Sequence, residues 1–412
     1  MRKSALLLSL AAICGMVPAQ GWECLPFVPP GPHGYNMSTG SALCSDDTLV
    51  FCLKGRYNEF YAYSPAANIW MLRESLPAIG RLMQKRYAGI GTSLVGCSQG
   101  VFCSKGNYSY EFWRYTSDSA PCPWTQSHDV PVGAKTPGAG SGMAVVDSFL
   151  YLVKGNYTYE FYRFNMNRSL WETMAAYPAG LSGKTVGSGS CVTAAQGRVY
   201  SLKGNNTSEF YSFDPVSLTW RLEPNIPTGP SGRGVGLGGC LAWDGRDTIY
   251  CLKGNFTNDY WAYSLSAGNW SQLPNMPTGV KYVGRGASLT AVADTIYALR
   301  GNSTLEFWSY LPTSGITGPP APAPRKFSLA VAPCPARGPV RFDLSPGKGA
   351  VRLRVTASDG RTVRDFGTFS APTVINWNGC DEMGRRVPAG VFFCTAEGPA
   401  GRITGRFVKL GN

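Results

Sequence analysis

The sequence predicts an all-β protein: a six-bladed β-propeller closed by its own N-terminal strand, followed by a small antiparallel β-sandwich. Three observations predict it. A segment recurs six times at a period near 50 residues, which marks a repeat architecture. Each copy holds four short strands that are apolar on both faces, as strands are when sheets stack on sheets. The 50 Gly and 30 Pro among 412 residues supply the tight turns that many short strands need.

Residues 1–20 read as a secretory signal. Arg2 and Lys3 form a basic start, Ala5 to Ile13 an apolar run too short to span a bilayer, and Val17-Pro18-Ala19 a small-residue cleavage site. A lipoprotein reading through Cys14 is the weaker one, because the bulky Ile13 precedes it. No later stretch is apolar and long enough to be a transmembrane segment. The expected location is therefore secreted or at the outer cell surface.

The propeller is expected over residues 21–312. Its copies align on Lys54, Lys105, Lys154, Lys203, Lys253 and Arg300, each followed by Gly. An acidic residue follows each turn: Glu59, Glu111, Glu160, Glu209, Asp259 and Glu306. An aromatic strand comes next, then a strand carrying Trp70, Trp124, Trp171, Trp220 or Trp270. The sixth copy lacks that Trp strand. Residues 22–29, WECLPFVP, match 270–277 and supply it, so the first strand completes the last blade and removes the open edges.

In this strand order the basic and acidic sets ring one mouth of the central channel, where they could grip a ligand. The alternative is a Lys–Glu pair latching each hairpin, which six near-identical copies favour, because a ligand site usually breaks symmetry. The turns also create N-x-S/T sequons at Asn107, Asn156, Asn205, Asn255 and Asn302. Recurrence at one structural position points to turn chemistry more than to glycan attachment.

Three copies carry paired cysteines: Cys44 with Cys52, Cys97 with Cys103, Cys240 with Cys251. Export makes these candidate disulfides, the alternative being buried free thiols. No Cys/His cluster suggests a metal, and the Gly-rich loops precede no helix that could hold a phosphate, so no cofactor is expected. Only His33 and His128 are present, which leaves a catalytic set without clear candidates. The insertion at 118–128 in the second copy is where specificity would be sought first.

An apolar strand ending in a Gly turn, an aromatic strand and a Trp about ten residues on resemble the kelch repeat. The resemblance covers roughly 22–312 and departs where kelch repeats carry Gly-Gly and this chain has Lys-Gly-Asn.

Residues 313–326 form a Pro/Gly-rich linker, and 327–412 are expected to be the sandwich. This last part, counted from 325, holds 14 basic against 6 acidic residues, so much of the net charge of +13 resides there. Trp377-Asn378-Gly379 followed by 381–393, DEMGRRVPAGVFF, resembles the flagellar hook-capping Ig-like domain, which also occurs as a C-terminal sorting module of exported bacterial proteins. The resemblance implies display or secretion. The expected function is a surface or extracellular binding protein for a glycan or protein partner. Nucleic acid is excluded by export and by the lack of a basic stripe with stacking aromatics. The alternatives are a propeller enzyme acting on extracellular carbohydrate and a structural envelope component.

Overall fold

The computed structural model describes residues 21–116, 123–312, 328–332, 336–345, 350–370, 373–398 and 401–410. The expected signal 1–20, the linker 313–326 and residues 118–122 of the insertion lie outside them. The chain divides into two compact units, Met1–Thr313 and Ser314–Asn412. Among the described residues all strands are antiparallel to their sheet neighbours, and no helix is long and apolar enough to cross a membrane.

The first unit is a set of four-stranded sheets in a β-propeller-like arrangement. Five of them take their strands from consecutive sequence, as in Ala42–Ser45, Val50–Lys54, Glu59–Ser64 and Ile69–Arg73. The remaining one joins Ser288–Val292, Thr295–Leu299 and Phe307–Leu311 to Gly21–Leu25. Trp22 lies opposite Tyr310 and Leu25 opposite Phe307 in this seam.

Each sheet-to-sheet interface repeats one aromatic contact. Phe60 meets Tyr115 edge-on at 5.0 Å, Phe112 meets Phe164 at 5.1 Å and Phe161 meets Phe213 at 4.9 Å. Phe210 meets Tyr263 at 5.0 Å, Tyr260 meets Tyr310 at 4.9 Å, and Tyr63 meets Phe307 at 5.0 Å. The last of these joins the seam sheet to the first sheet, so the cycle closes with the same packing it uses elsewhere. Such pairs contribute about 0.5–1.5 kcal/mol each beyond the area they bury. Every outer-strand Trp also donates its indole N–H backwards to the chain leaving the preceding sheet: Trp22 to Pro274, Trp70 to Pro26 and Trp220 to Ala175, for example.

The candidate disulfides need correcting. Cys44 pairs in register with Phe51 while Cys52 pairs with Leu43, a one-residue offset that sends the two side chains to opposite faces of the sheet. Cys240 and Cys251 show the same offset, and Cys97 and Cys103 are three positions out of register. All six thiols are free. Cys44 instead shares an inter-sheet core with Cys103, and Cys251 shares another with Cys191.

The second unit has a three-stranded sheet of Ser328–Ala332, Val340–Ser345 and Thr373–Trp377. Its four-stranded sheet is ordered Thr362–Ser370, Ala350–Ala357, Gly390–Gly398, Gly401–Lys409. Both sheets contribute to one core, with Phe342, Trp377, Phe392 and Phe407 at its centre. The 377–385 motif is turn chemistry: the Trp377 indole donates to the Cys380 carbonyl at 2.7 Å, and the Asp381 carboxylate accepts the Met383 and Arg385 N–H groups.

Candidate functional site: the channel mouth

The repeated charges are brought together in pairs, and they are buried. Lys54 lies 3.3 Å from Glu59, Lys105 2.5 Å from Glu111, Lys154 3.3 Å from Glu160 and Lys253 3.4 Å from Asp259. Arg300 lies 2.6 Å from Glu306, and Lys203 pairs with Glu209. The six cations are essentially closed to solvent; the most open partner is Glu160, at 20% side-chain exposure. A surface latch would contribute little; these pairs have a different role.

Each cation donates to a carbonyl in the connection arriving from the preceding sheet: Lys54 to Pro29 and Pro30, Lys105 to Pro77, Lys154 to Pro131, Lys203 to Ala179, Lys253 to Thr228 and Arg300 to Pro277. Several of the carboxylates accept from the same connections, Glu160 from the Ala134 N–H, Glu209 from Ser182 and Glu306 from Val280. The pairs are internal clamps that fix the loops of the mouth. Burial pushes the ammonium groups of Lys154 and Lys253 below the ordinary lysine value. Burial raises Glu160 and Glu209, but their hydrogen bonds and the neighbouring lysine charges outweigh it and hold both below the ordinary glutamate value.

Beside five of the clamps the chain makes a Gly-Asn-X turn with three successive residues at positive φ; in the first sheet the turn reads Gly55-Arg56-Tyr57-Asn58, with Arg56 and Asn58 at positive φ. Gly106, Asn107 and Tyr108 stand at 61°, 51° and 62°. The Ser109 N–H closes the turn on the Gly106 carbonyl at 3.0 Å. A Cβ on Gly106 would meet Gly91 and Ile90 backbone at 2.5 Å, so this position excludes a side chain on two grounds. The sequon nitrogens are engaged: Asn107 Nδ2 donates to the Tyr87 carbonyl at 3.0 Å, and Asn156, Asn205, Asn255 and Asn302 repeat the bond. The nitrogen that a glycan would take is already a structural donor.

What reaches solvent is the residue after that Asn. Tyr108 is 72% exposed and Tyr157 47%, both on bulky positive-φ positions, and Phe256 is exposed at the matching place. These tyrosines line a cavity of about 450 Å³ at the mouth, with Ile90, Asn107, Asn156 and Arg285. A second cavity of about 370 Å³ continues along the inner strands and shares Ser41, Ser141 and Ser190 with the first. The hydroxyls of Ser141 and Ser190 have no protein hydrogen-bond partner.

The first sheet breaks the symmetry. His33 Nδ1 lies 2.7 Å from Glu59 Oε1, and its ring stacks on Tyr57 at 4.1 Å. Tyr35 also stacks on Tyr57, at 5.0 Å, with Arg56 over the Tyr35 ring at 4.7 Å. Sequence reasoning looked to the second copy for such asymmetry and missed this cluster. His128, the last residue of that insertion, accepts the Trp171 indole N–H at its carbonyl.

No family model matches the sequence. No curated protein matches it. Among solved structures, that of YjhT is similar over 70% of this chain and 97% of its own, at 12% identity and a TM-score of 0.41. A structural-genomics protein of unknown function from Bacteroides thetaiotaomicron VPI-5482 is similar over 71% of this chain and 76% of its own, at 12% identity and a TM-score of 0.50. At this identity the likeness concerns the fold alone.

Proposed function

We propose that the chain is an exported, six-bladed, kelch-like propeller with an Ig-like C-terminal display or sorting module, and that it binds an extracellular glycan at the channel mouth. The observation that carries this reading is the pair Tyr108 and Tyr157, exposed from neighbouring sheets over the mouth cavity. Aromatic faces offer sugars a rigid apolar platform, and the polar residues that line the same cavity, Asn107, Asn156 and Arg285 among them, stand beside it. Bulky residues at positive φ are costly and persist where the surroundings over-determine them, a pattern that clusters at ligand sites. A protein partner is the less favoured occupant, because a concave mouth with polar walls suits a chain of sugars better than a flat epitope.

The test is a glycan array followed by calorimetry on the best binder. Tyr108→Ala/Tyr157→Ala is expected to weaken binding at least tenfold, about 1.4 kcal/mol, with the melting temperature unchanged because both rings are exposed. A silent array, or full binding by the double variant, would overturn the reading.

One observation favours an enzyme acting on extracellular carbohydrate as the second reading. A His held by a carboxylate is a general-base arrangement, and His33, paired with Glu59, stands in the connection whose Thr39 and Gly40 line the mouth cavity. Turnover in a glycosidase panel that His33→Gln abolishes would place this reading first.

A further inference from the structure

The connections that form the mouth carry cations in one register. Arg86, Lys135, Lys184, Arg233 and Lys281 each stand two residues before a buried residue that seats the connection on the structure beneath: Ala88, Pro137, Val186, Val235 and Val283. Val186, Val235 and Val283 bridge to the turn threonines Thr158, Thr207 and Thr257. The equivalent residue of the sixth connection is Tyr35, two before the buried Met37, which bridges to Thr304. Five of the six connections therefore present a cation at one place, and the sixth presents an aromatic ring.

These cations are at the surface and are not spent on carboxylates. Lys135, Lys184, Arg233 and Lys281 are exposed and Arg86 is half-buried. Lys184 donates to the Asn205 carbonyl at 3.3 Å and Arg233 to the Asn255 carbonyl at 2.8 Å, which lays both heads over the turns. The Lys135 ammonium stands 6.0 Å from the Tyr157 ring centre, one of the two tyrosines of the mouth. Among the described residues none of the five makes an ion pair. The only carboxylates in the six connections are Glu74 and Asp129. The clamp carboxylates beneath are already neutralised by buried partners. A rim of one sign around a concave mouth focuses its field on the opening and draws in the opposite charge.

We infer that the ligand of this mouth is an anionic polysaccharide, a chain of carboxylated or sulfated sugars. The inference rests on the glycan-binding reading and specifies it. Stacked sheets lie about 10 Å apart, so cations on successive connections are too widely spaced for one sugar to reach. A polymer with a charge on every residue or every second residue meets several at once. Tyr108, Tyr157 and Phe256 take the sugar faces, and Lys135, Lys184, Arg233 and Lys281 take the acidic groups.

The test uses the intact exported chain with four probes: polygalacturonate, heparin, neutral dextran and polyglutamate. Polygalacturonate or heparin is expected to bind, with affinity falling about tenfold between ~50 and ~500 mM NaCl. Lys184→Glu/Arg233→Glu is expected to lower that affinity at least tenfold at unchanged melting temperature. Arg361→Glu, on the second unit, is the control and is expected to bind as the wild type does. Dextran binding that the double reversal leaves intact would overturn the inference while the glycan reading stands. Failure of every polysaccharide, on these probes and on the array, would overturn both. Polyglutamate binding as tightly as the polysaccharides, or an equal loss in Arg361→Glu, would show charge alone at work and would also overturn the inference.

Discussion

Lys203→Met is expected to lower the unfolding free energy by about 3–5 kcal/mol, the cost of removing one partner from a buried ion pair. The ammonium is closed to solvent, pairs with Glu209 and donates to the Ala179 carbonyl. Methionine fills the same volume but leaves the carboxylate buried opposite an apolar group. The double variant Lys203→Met/Glu209→Gln is expected to recover part of the loss, since a neutral amide oxygen still accepts from the Ser182 N–H that Glu209 now serves. Urea unfolding followed by tryptophan fluorescence measures both. A single variant within about 1 kcal/mol of wild type would show that the clamp is not a stabilising feature.

The same groups set an acid limit. Glu59, Glu160 and Glu209 are held below the ordinary glutamate value in the fold, burial opposing and hydrogen bonds and lysine charges prevailing. The folded state therefore binds fewer protons than the unfolded chain in that range. Stability is full above the ordinary glutamate range and is lost as pH falls through it to the lowered folded values. Lys203→Met/Glu209→Gln, one clamp fewer, should show a shallower acid slope.

Deleting residues 21–25 is the second large effect. The deletion strips the Phe307–Leu311 strand of its partner along the full register from Gly21–Leu311 to Leu25–Phe307. It also removes Trp22, which lies 4.7 Å from Tyr260 and 5.1 Å from Tyr310 and whose indole donates to Pro274. An apolar edge is then open to pairing with other chains. The truncated protein should form soluble oligomers or aggregate in size-exclusion chromatography. The milder Trp22→Ala should remain monomeric and lose about 2–3 kcal/mol, below the full-burial range because the indole is half-buried. A monomeric deletion variant with an unchanged melting temperature would mean that the seam does not hold the ring.

Most of the strand framework was legible because its signals are local. Lys-Gly-Asn fixes where one strand ends, the aromatic pair fixes the next, and the Trp marks the outer one. The seam was legible because 22–29 copies 270–277. The cysteines were misread for a reason that spacing hides. Hairpin register is set by turn geometry, and a slip of one residue moves Cys52 to the face away from Cys44. The burial of the Lys–Glu pairs was hidden as well, since the cover comes from a connection some two dozen residues earlier, as Ala179 does for Lys203. The cation register was present in the sequence. It emerges when the connections, and not only the hairpins, are aligned on Val186, Val235 and Val283.

The clamps have a consequence for how this surface can vary. The groups that hold a mouth loop in place, such as Lys203 and Glu209, are buried beneath it, and the cation the loop itself carries, such as Lys184, is exposed. Lys203 and Glu209 fix the 174–190 connection without using Lys184. The frame and the exposed surface are thus chemically separate, and each of the six rim positions can be rewritten on its own while the ring beneath stays the same.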